Sequence, residues 1–168
     1  MIEEIDSRVD KSLRTISNYK EYENFIDTNT GLAIIDLGTS LSYLIKDHLN
    51  INITVKGNCK VYADGTLSSV FNNLLSNSIN HGKADEVHIA ISSLENRREI
   101  IFTDNGTGIP KEIQTKVFDE GFYYGESGHI GIGLFLVKKT IERYGGSIQV
   151  QDNEVSGASF AITFNKAL

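Results

Sequence analysis

The spacing of hydrophobic and polar positions changes several times along the chain, and each change predicts an element. Residues 2–26 carry apolar side chains at steps of three or four with charged residues between them, which predicts an amphipathic helix. Such a helix either packs on its own domain or pairs with another helix. The turn signal Asn29-Thr30-Gly31 ends it, and residues 36–39 then predict the cap of a second helix that continues to Leu49.

Shorter periods follow. Residues 51–55 and 59–62 predict strands around the turn Lys56-Gly57-Asn58, and a long helix is predicted from Asp64 to about His81. The remaining predicted elements are a hairpin of strands 87–93 and 99–103, a helix over 111–117, and strands 147–150 and 158–164. This order predicts an α+β fold, a two-layer α/β sandwich whose mixed, mostly antiparallel sheet of about five strands is covered on one face by helices, with an N-terminal helix in addition.

The long helix contains no Lys, Arg, Asp or Glu between residues 66 and 82. Its polar residues Asn73, Asn77 and Asn80 cluster within an arc of about 60°, away from the apolar stripe. A solvated face is the usual alternative, but it would favour Glu, Lys and Gln, which form helices better than Asn. Three amides that offer both donors and acceptors therefore favour a partly buried polar ligand.

A carboxylate follows the second strand of the predicted hairpin. Asp104 opens the run Asp104-Asn105-Gly106-Thr107-Gly108-Ile109-Pro110. Gly106 and Gly108 let the main chain turn tightly and approach a flat ligand, and Asp104 can accept hydrogen bonds from that ligand. An ordinary Asp-Asn-Gly turn is the alternative.

A second glycine-rich stretch comes later. Residues 118–128 hold three glycines and four aromatic residues without a clear period, which indicates a mobile lid with hydrophobic anchors or else a disordered loop. The run Gly128-His129-Ile130-Gly131-Ile132-Gly133-Leu134 then leads into a helix that ends at Gly145-Gly146. Main-chain N–H groups at such a helix start can bind phosphate, although the run matches neither a Walker nor a Rossmann motif.

Composition agrees with this picture. The 168 residues suit one domain with a short appendage, and 40 % hydrophobic and 23 % charged residues exclude disordered and collagen-like chains. Nine of the 15 glycines lie between Gly106 and Gly146. The acidic N-terminus, the lack of a long apolar run and the single Cys59 lead us to expect a cytoplasmic location. A net charge of −6 argues against a nucleic-acid partner but allows a nucleotide.

In their order and spacing, the motifs between residues 32 and 164 resemble the ATP-binding domain of sensor histidine kinases. That superfamily, called GHKL, includes type II topoisomerases, a heat-shock chaperone and mismatch-repair ATPases. The resemblance implies the Bergerat fold, with ATP and Mg²⁺ as cofactors. It also implies that residues 1–28 end a helix of a dimerisation and phosphoacceptor hairpin, and that residues 29–168 form the catalytic domain. The implied partners are this hairpin, a response regulator and a second copy of the full-length protein. Both a membrane-bound and a soluble full-length sensor stay open as alternatives.

The resemblance also implies roles for individual residues. Asn77 is expected to ligate Mg²⁺, and Asp104 to accept a hydrogen bond from the adenine amino group. Phe118 and Phe122 are expected to hinge the lid, and the second glycine pair to lie beside the phosphates. The complete implied ATP site consists of Asn73, Asn77, Asn80, His81, Asp104, Gly106, Gly108, Ile109, Phe118, Phe122, Gly131, Gly133 and Leu134.

Several positions depart from the family pattern. Asn80 and His81 stand where the family often has a lysine and an aromatic residue, so one phosphate contact is either missing or supplied by another group, such as a lid residue or Lys111. His129 replaces a glycine that often begins the second glycine box. None of the four histidines has the acidic neighbour and following proline of a phosphoacceptor, so the catalytic histidine is expected on an upstream hairpin absent from this chain.

Asn73 bears on the reaction type. It lies where hydrolytic relatives and anti-sigma serine kinases carry a glutamate base, and an amide cannot act as a base. We therefore expect phosphoryl transfer to a histidine, achieved by positioning and charge neutralisation. Two alternatives stay open, namely an anti-sigma serine kinase of the same superfamily and a module that binds nucleotide only to regulate a partner.

Overall fold

Seven strands and three α-helices make up the part of the chain that the computed structural model describes, which is residues 31–122, 124, 131–153 and 156–165. The elements in chain order are β1 (Ala33–Asp36), α1 (Leu37–Asp47), β2 (Asn52–Lys56), β3 (Lys60–Ala63), α2 (Leu67–Asn80), β4 (Glu86–Ser93), β5 (Arg97–Asp104), a 3₁₀ turn (Lys111–Ile113), α3 (Gly133–Arg143), β6 (Ser147–Gln151) and β7 (Ser159–Asn165). The helix predicted at residues 2–26 lies outside the described residues. Among those described, no helix has the length and apolar character needed to cross a membrane.

Five strands form one mixed sheet in the order β2-β4-β5-β7-β6. β2 runs parallel to β4, and the other neighbours are antiparallel. Side chains alternate along β4, so that Val87 and Ile89 are buried against the helices while His88 and Ala90 are exposed on the other face. The predicted fold class, with helices on one face of a mostly antiparallel sheet of five strands, is confirmed.

The N-terminal strand pairing was not predicted. β1 is only four residues long and pairs with β3 in a separate two-stranded sheet, in which Ile34 faces Tyr62. The predicted turn at residues 56–58 therefore joins strands of two different sheets. A four-residue strand is too short to show a period of two, and its partner lies beyond α1 and β2.

Helix ends follow local chemistry in part. The side chain of Asp36 accepts a hydrogen bond from the main-chain N–H of Thr39 at 3.0 Å, which confirms the predicted cap of α1. This helix ends at Asp47, and Leu49, predicted inside it, is 89 % exposed. The prediction of an α-helix over residues 111–117 is wrong. Only the 3₁₀ turn forms there, since most main-chain hydrogen bonds of the segment join residues three apart.

The long helix α2 buries the predicted stripe. It begins at Leu67 rather than at Asp64, whose carboxylate accepts a hydrogen bond from the main-chain N–H of Thr66 at 2.9 Å just before the helix. Its buried positions are Leu67, Val70, Phe71, Leu74, Leu75 and Ser78. This stripe holds α2 against the sheet and turns its asparagines away from the core.

Candidate functional site

Asp104 lies at the C-terminal end of β5 and is 3 % exposed. Its Oδ1 accepts hydrogen bonds from the main-chain N–H groups of Gly106 at 2.9 Å and Ala158 at 3.0 Å. Its Oδ2 accepts one from the hydroxyl of Ser78 at 2.7 Å. A carboxylate has about four acceptor positions, so these donors from the described residues leave one position on Oδ2. That position can accept an N–H group of a ligand.

The main chain around this carboxylate is closely packed. The N–H of Thr107 donates to the carbonyl of Gly82, just beyond α2, at 2.9 Å, and a Cβ at Gly106 would overlap the same carbonyl. Gly108 has a φ of +78°, and a Cβ there would lie 2.9 Å from the carbonyl oxygen of Gly157. The sequence predicted that these glycines let the main chain approach a ligand. In the structure they let it approach Gly82 and Gly157, and these contacts hold the turn in place.

The second glycine motif adjoins the asparagine helix. α3 begins at Gly133, where a Cβ would lie 3.1 Å from the Oδ1 of Asn73. Gly131 has a φ of +68°, and a Cβ there would overlap the carbonyl of Phe122. Within the described part of the chain no side chain caps the first turn of α3, since the residue before it is Ile132. Its main-chain N–H groups and helix dipole favour an anion at this point.

The other predicted polar residues lie at the end of α2. Asn77 is half-buried, and its main-chain carbonyl accepts from the N–H groups of His81 and Gly82 at 2.9 and 3.0 Å. The side-chain nitrogen of Asn80 donates to the carbonyl of Ser76 at 2.8 Å and to its hydroxyl at 2.9 Å. The amide donors of Asn80 thus serve its own helix, and His81 is exposed. Asn73, about two turns earlier in α2, instead has its side-chain oxygen next to Gly133, the first residue of α3.

The apolar residues of the predicted site belong largely to the core. Phe118 is 6 % exposed and meets the ring of Phe160 edge-on, with 6.2 Å between centroids. Three others are half-buried and pack against the same core, namely Ile109, Phe122 and Leu134. They stabilise the segments on either side of the predicted lid. Residues 123 and 125–128 of that lid lie outside the described residues, as do His129 and Ile130 of the second glycine motif.

Lys111 was expected as a possible phosphate contact. Its ammonium group instead lies 3.3 Å from the carboxylate of Asp152, and both side chains are largely exposed. An exposed pair of this kind contributes little free energy, so it holds Lys111 only weakly.

Three residues that support Asp104 were missed in the sequence. Ser78 lies in the apolar stripe of α2, and a lone hydroxyl in such a stripe is the signal that identifies it. Gly157, with a φ of +112°, and Ala158 come from the loop between β6 and β7. Ala158 is 54 residues from Asp104 in the chain, so no local pattern points to it.

Comparison with known proteins places the chain in a family. Residues 63–168 match the family model described as histidine kinase-, DNA gyrase B- and HSP90-like ATPase. The chain belongs to this ATPase family. The resemblance inferred from the asparagine and glycine motifs is thereby confirmed.

Curated relatives of this ATPase family member are sensor proteins. Sensor protein CitS of Halalkalibacterium halodurans is 38 % identical over 102 residues, which cover 60 % of this chain and 18 % of that protein. Sensor protein SrrB of Staphylococcus aureus is 33 % identical over 131 residues, which cover 71 % of this chain and 22 % of that protein. The chain therefore spans about a fifth of the length of these relatives.

Solved structures of ATPase family members show the same fold. The ATP binding domain of PrrB from Mycobacterium tuberculosis has a TM-score of 0.71 at 20 % identity, covering 83 % of this chain and all of that one. Histidine kinase ThkA in complex with response regulator protein TrrA has a TM-score of 0.72 at 20 % identity, covering 95 % of this chain and 49 % of that chain. At this level of identity the similarity concerns the fold alone.

Proposed function

We propose that this chain is the ATP-binding catalytic domain of a two-component sensor histidine kinase. In this proposal it donates the γ-phosphate of ATP to a histidine on an upstream hairpin. The observation that carries the proposal is the buried Asp104, whose one remaining acceptor position suits the amino group of adenine. Membership of the ATPase family and the sensor kinases among its relatives support it.

The polar groups of the described site fit a nucleotide from base to phosphate. Asp104 accepts from the base, and the start of α3, with Gly131 and Gly133, lies beside the phosphates. The glycines leave main-chain N–H groups unobstructed, so an anion is stabilised without a cluster of cations. The start of α3 therefore suits a phosphate group, even though Asn80 stands in place of the lysine that is common in the family.

Asn77 is the proposed protein ligand of Mg²⁺. A neutral amide oxygen suits this ion, which keeps several waters and also binds phosphate oxygens. When bound, Mg²⁺ neutralises charge on the phosphates. The protein's own contribution is to hold the nucleotide in line with the acceptor, because Asn73 provides no base for activating water.

Partners and location are part of the same proposal. Residues 1–28 would be the end of a hairpin helix that pairs with a second copy, and the phosphorylated histidine would pass its phosphoryl group to a response regulator. Support for the regulator comes from the structural neighbour ThkA, which was solved in complex with one. The site would act in the cytoplasm, in the cytosolic part of the full-length sensor.

The test is phosphorylation in trans. The chain is incubated with Mg²⁺, γ-labelled ATP and a separately produced phosphoacceptor hairpin from the full-length sensor. The expected result is acid-labile label on the hairpin histidine, absent when that histidine is replaced and reduced, at subsaturating ATP, when the chain carries Asp104→Asn. A chain that binds ATP but leaves the hairpin unlabelled would be a regulatory module. Acid-stable label on a serine of a partner would instead indicate an anti-sigma kinase.

A further inference from the structure

Ser78 is a buried polar residue to which the proposed function gives no task. It is 2 % exposed, and its hydroxyl oxygen lies 2.7 Å from Oδ2 of Asp104 and 3.2 Å from the carbonyl of Leu74. A serine hydroxyl has a single proton to donate. Since bonds to a charged acceptor are shorter and stronger, the nearer carboxylate takes that proton.

We infer that Ser78 is a positioning residue that makes Asp104 select a base with an amino group, which deepens the proposed function and rests on it. The two main-chain donors from Gly106 and Ala158 both act on Oδ1, and they leave Oδ2 with two acceptor positions. Ser78 fills one of these, so the ligand meets a single acceptor position with a fixed direction.

This arrangement discriminates between purines that differ at one group. The amino group of adenine donates an N–H to the remaining position on Oδ2. A base with a carbonyl at the same place, such as hypoxanthine, turns oxygen lone pairs towards a charged acceptor. Neither Asp104 nor Ser78 has a proton left to offer that carbonyl, so the contact stays unfavourable.

Removal of the hydroxyl changes the selectivity in a defined direction. In Ser78→Ala, a water molecule can take the vacated acceptor position of Asp104. A water has two protons, so it can donate one to the carboxylate and the other to the carbonyl of a 6-oxo purine. The bases are then discriminated less well, although Asp104 itself is retained.

The experiment is calorimetric titration of ATP and of inosine triphosphate, both with Mg²⁺, into the wild-type chain and its variants. We expect Ser78→Ala to lower the ratio of the two association constants about tenfold, the effect of roughly one hydrogen bond to a charged group. Ser78→Thr keeps the hydroxyl and should restore the ratio to within about threefold of wild type. Ser68→Ala is the matched control, since Ser68 lies on the same helix, is exposed and donates to the carbonyl of Gly65.

The possible outcomes separate this inference from the proposed function. A Ser78→Ala ratio equal to wild type, or an equal loss of affinity for both nucleotides, overturns the selective role of Ser78. Wild-type protein that binds the two nucleotides equally, or binds neither, contradicts the assignment of Asp104 to adenine instead. If Ser78→Ala does not fold, Ser78→Thr carries the test, because it keeps the donor to Oδ2 and leaves no acceptor position for water. A fall in its ratio of more than about threefold would overturn the inference.

Discussion

The guanidinium of Arg143 lies 2.7 Å from Oδ2 of Asp64, and this ion pair joins the last turn of α3 to the segment that leads into α2. The hydroxyls of Tyr144 and Thr66 each donate to Oδ1 of the same carboxylate at 2.6 Å. Since α2 carries the site asparagines and α3 begins at Gly133, the network fixes the relative position of the two helices that line the candidate site.

The first prediction concerns the acid stability that this network provides. Burial by itself raises the pKa of Asp64, but the hydrogen bonds from Thr66 and Tyr144 and the charge of Arg143 outweigh it and hold the pKa below its ordinary value. The stabilisation is therefore complete above the unfolded pKa of about 4 and is lost as the pH falls through the lower folded pKa.

Asp64→Asn should lower the free energy of unfolding at pH 7 by about 2–3 kcal/mol, because it removes a charged acceptor from a buried network. Urea denaturation between pH 7 and pH 3 checks this, and the variant should lose less stability than wild type below about pH 4. Asp152→Asn is the control, since its exposed pair with Lys111 contributes at most about 1 kcal/mol. If the free energy of unfolding falls equally with pH in Asp64→Asn and wild type, the ion pair of Asp64 and Arg143 does not provide this acid-dependent stability.

The second prediction concerns the base. Asp104→Asn should weaken ATP binding by about 1.5–3 kcal/mol, because a charged acceptor facing the amino group is lost. Calorimetric titration measures the change, and Asp47→Asn, at an exposed position of α1, serves as the control. Unchanged ATP affinity in Asp104→Asn would refute the assignment of this carboxylate to adenine.

The third prediction concerns the metal. Asn77→Ala should reduce the difference between ATP affinities measured with and without Mg²⁺, since the proposed protein ligand is removed. Asn72→Ala, an exposed asparagine on the same helix, should leave that difference unchanged. The metal assignment is wrong if Asn77→Ala retains the full Mg²⁺ dependence.

The fourth prediction concerns the turn after Asp104. A Cβ at Gly106 would overlap the carbonyl of Gly82, so Gly106→Ala should lower the free energy of unfolding by about 1–3 kcal/mol and weaken ATP binding with it. Nothing lies within 4 Å of a Cβ built on Gly65, and Gly65→Ala is the matched control. Thermal unfolding and titration of both variants check the prediction, which fails if the two are equally stable.

Several features of the fold and the main groups of the candidate site could be predicted because their chemistry is local. The cap at Asp36, the apolar stripe of α2 and the carboxylate before a glycine turn each depend on residues within a few positions of one another. Periodicity and turn preference act over this range, so they can be recognised in one chain. Their order along the chain then carried the resemblance that the family match confirmed.

The failures concern short or weakly patterned segments. Four residues of β1 show no period, and its pairing with β3 depends on where α1 places the two strands. The helix predicted after Pro110 did not form because a segment of this length gains little from helical hydrogen bonds alone. Helix α1 ends before Leu49 for a related reason, since the exposed Leu49 side chain gains no packing energy from a further helical turn.

The sequence by itself therefore determined most of the elements, the fold class and the chemical groups of the candidate site. The tertiary structure decided what holds those groups in place. Ser78 reaches Asp104 across 26 residues of chain, and Arg143 reaches Asp64 across 79. Such contacts depend on the packing of whole helices against the sheet, which places distant donors within hydrogen-bond distance and which no local pattern of side chains encodes.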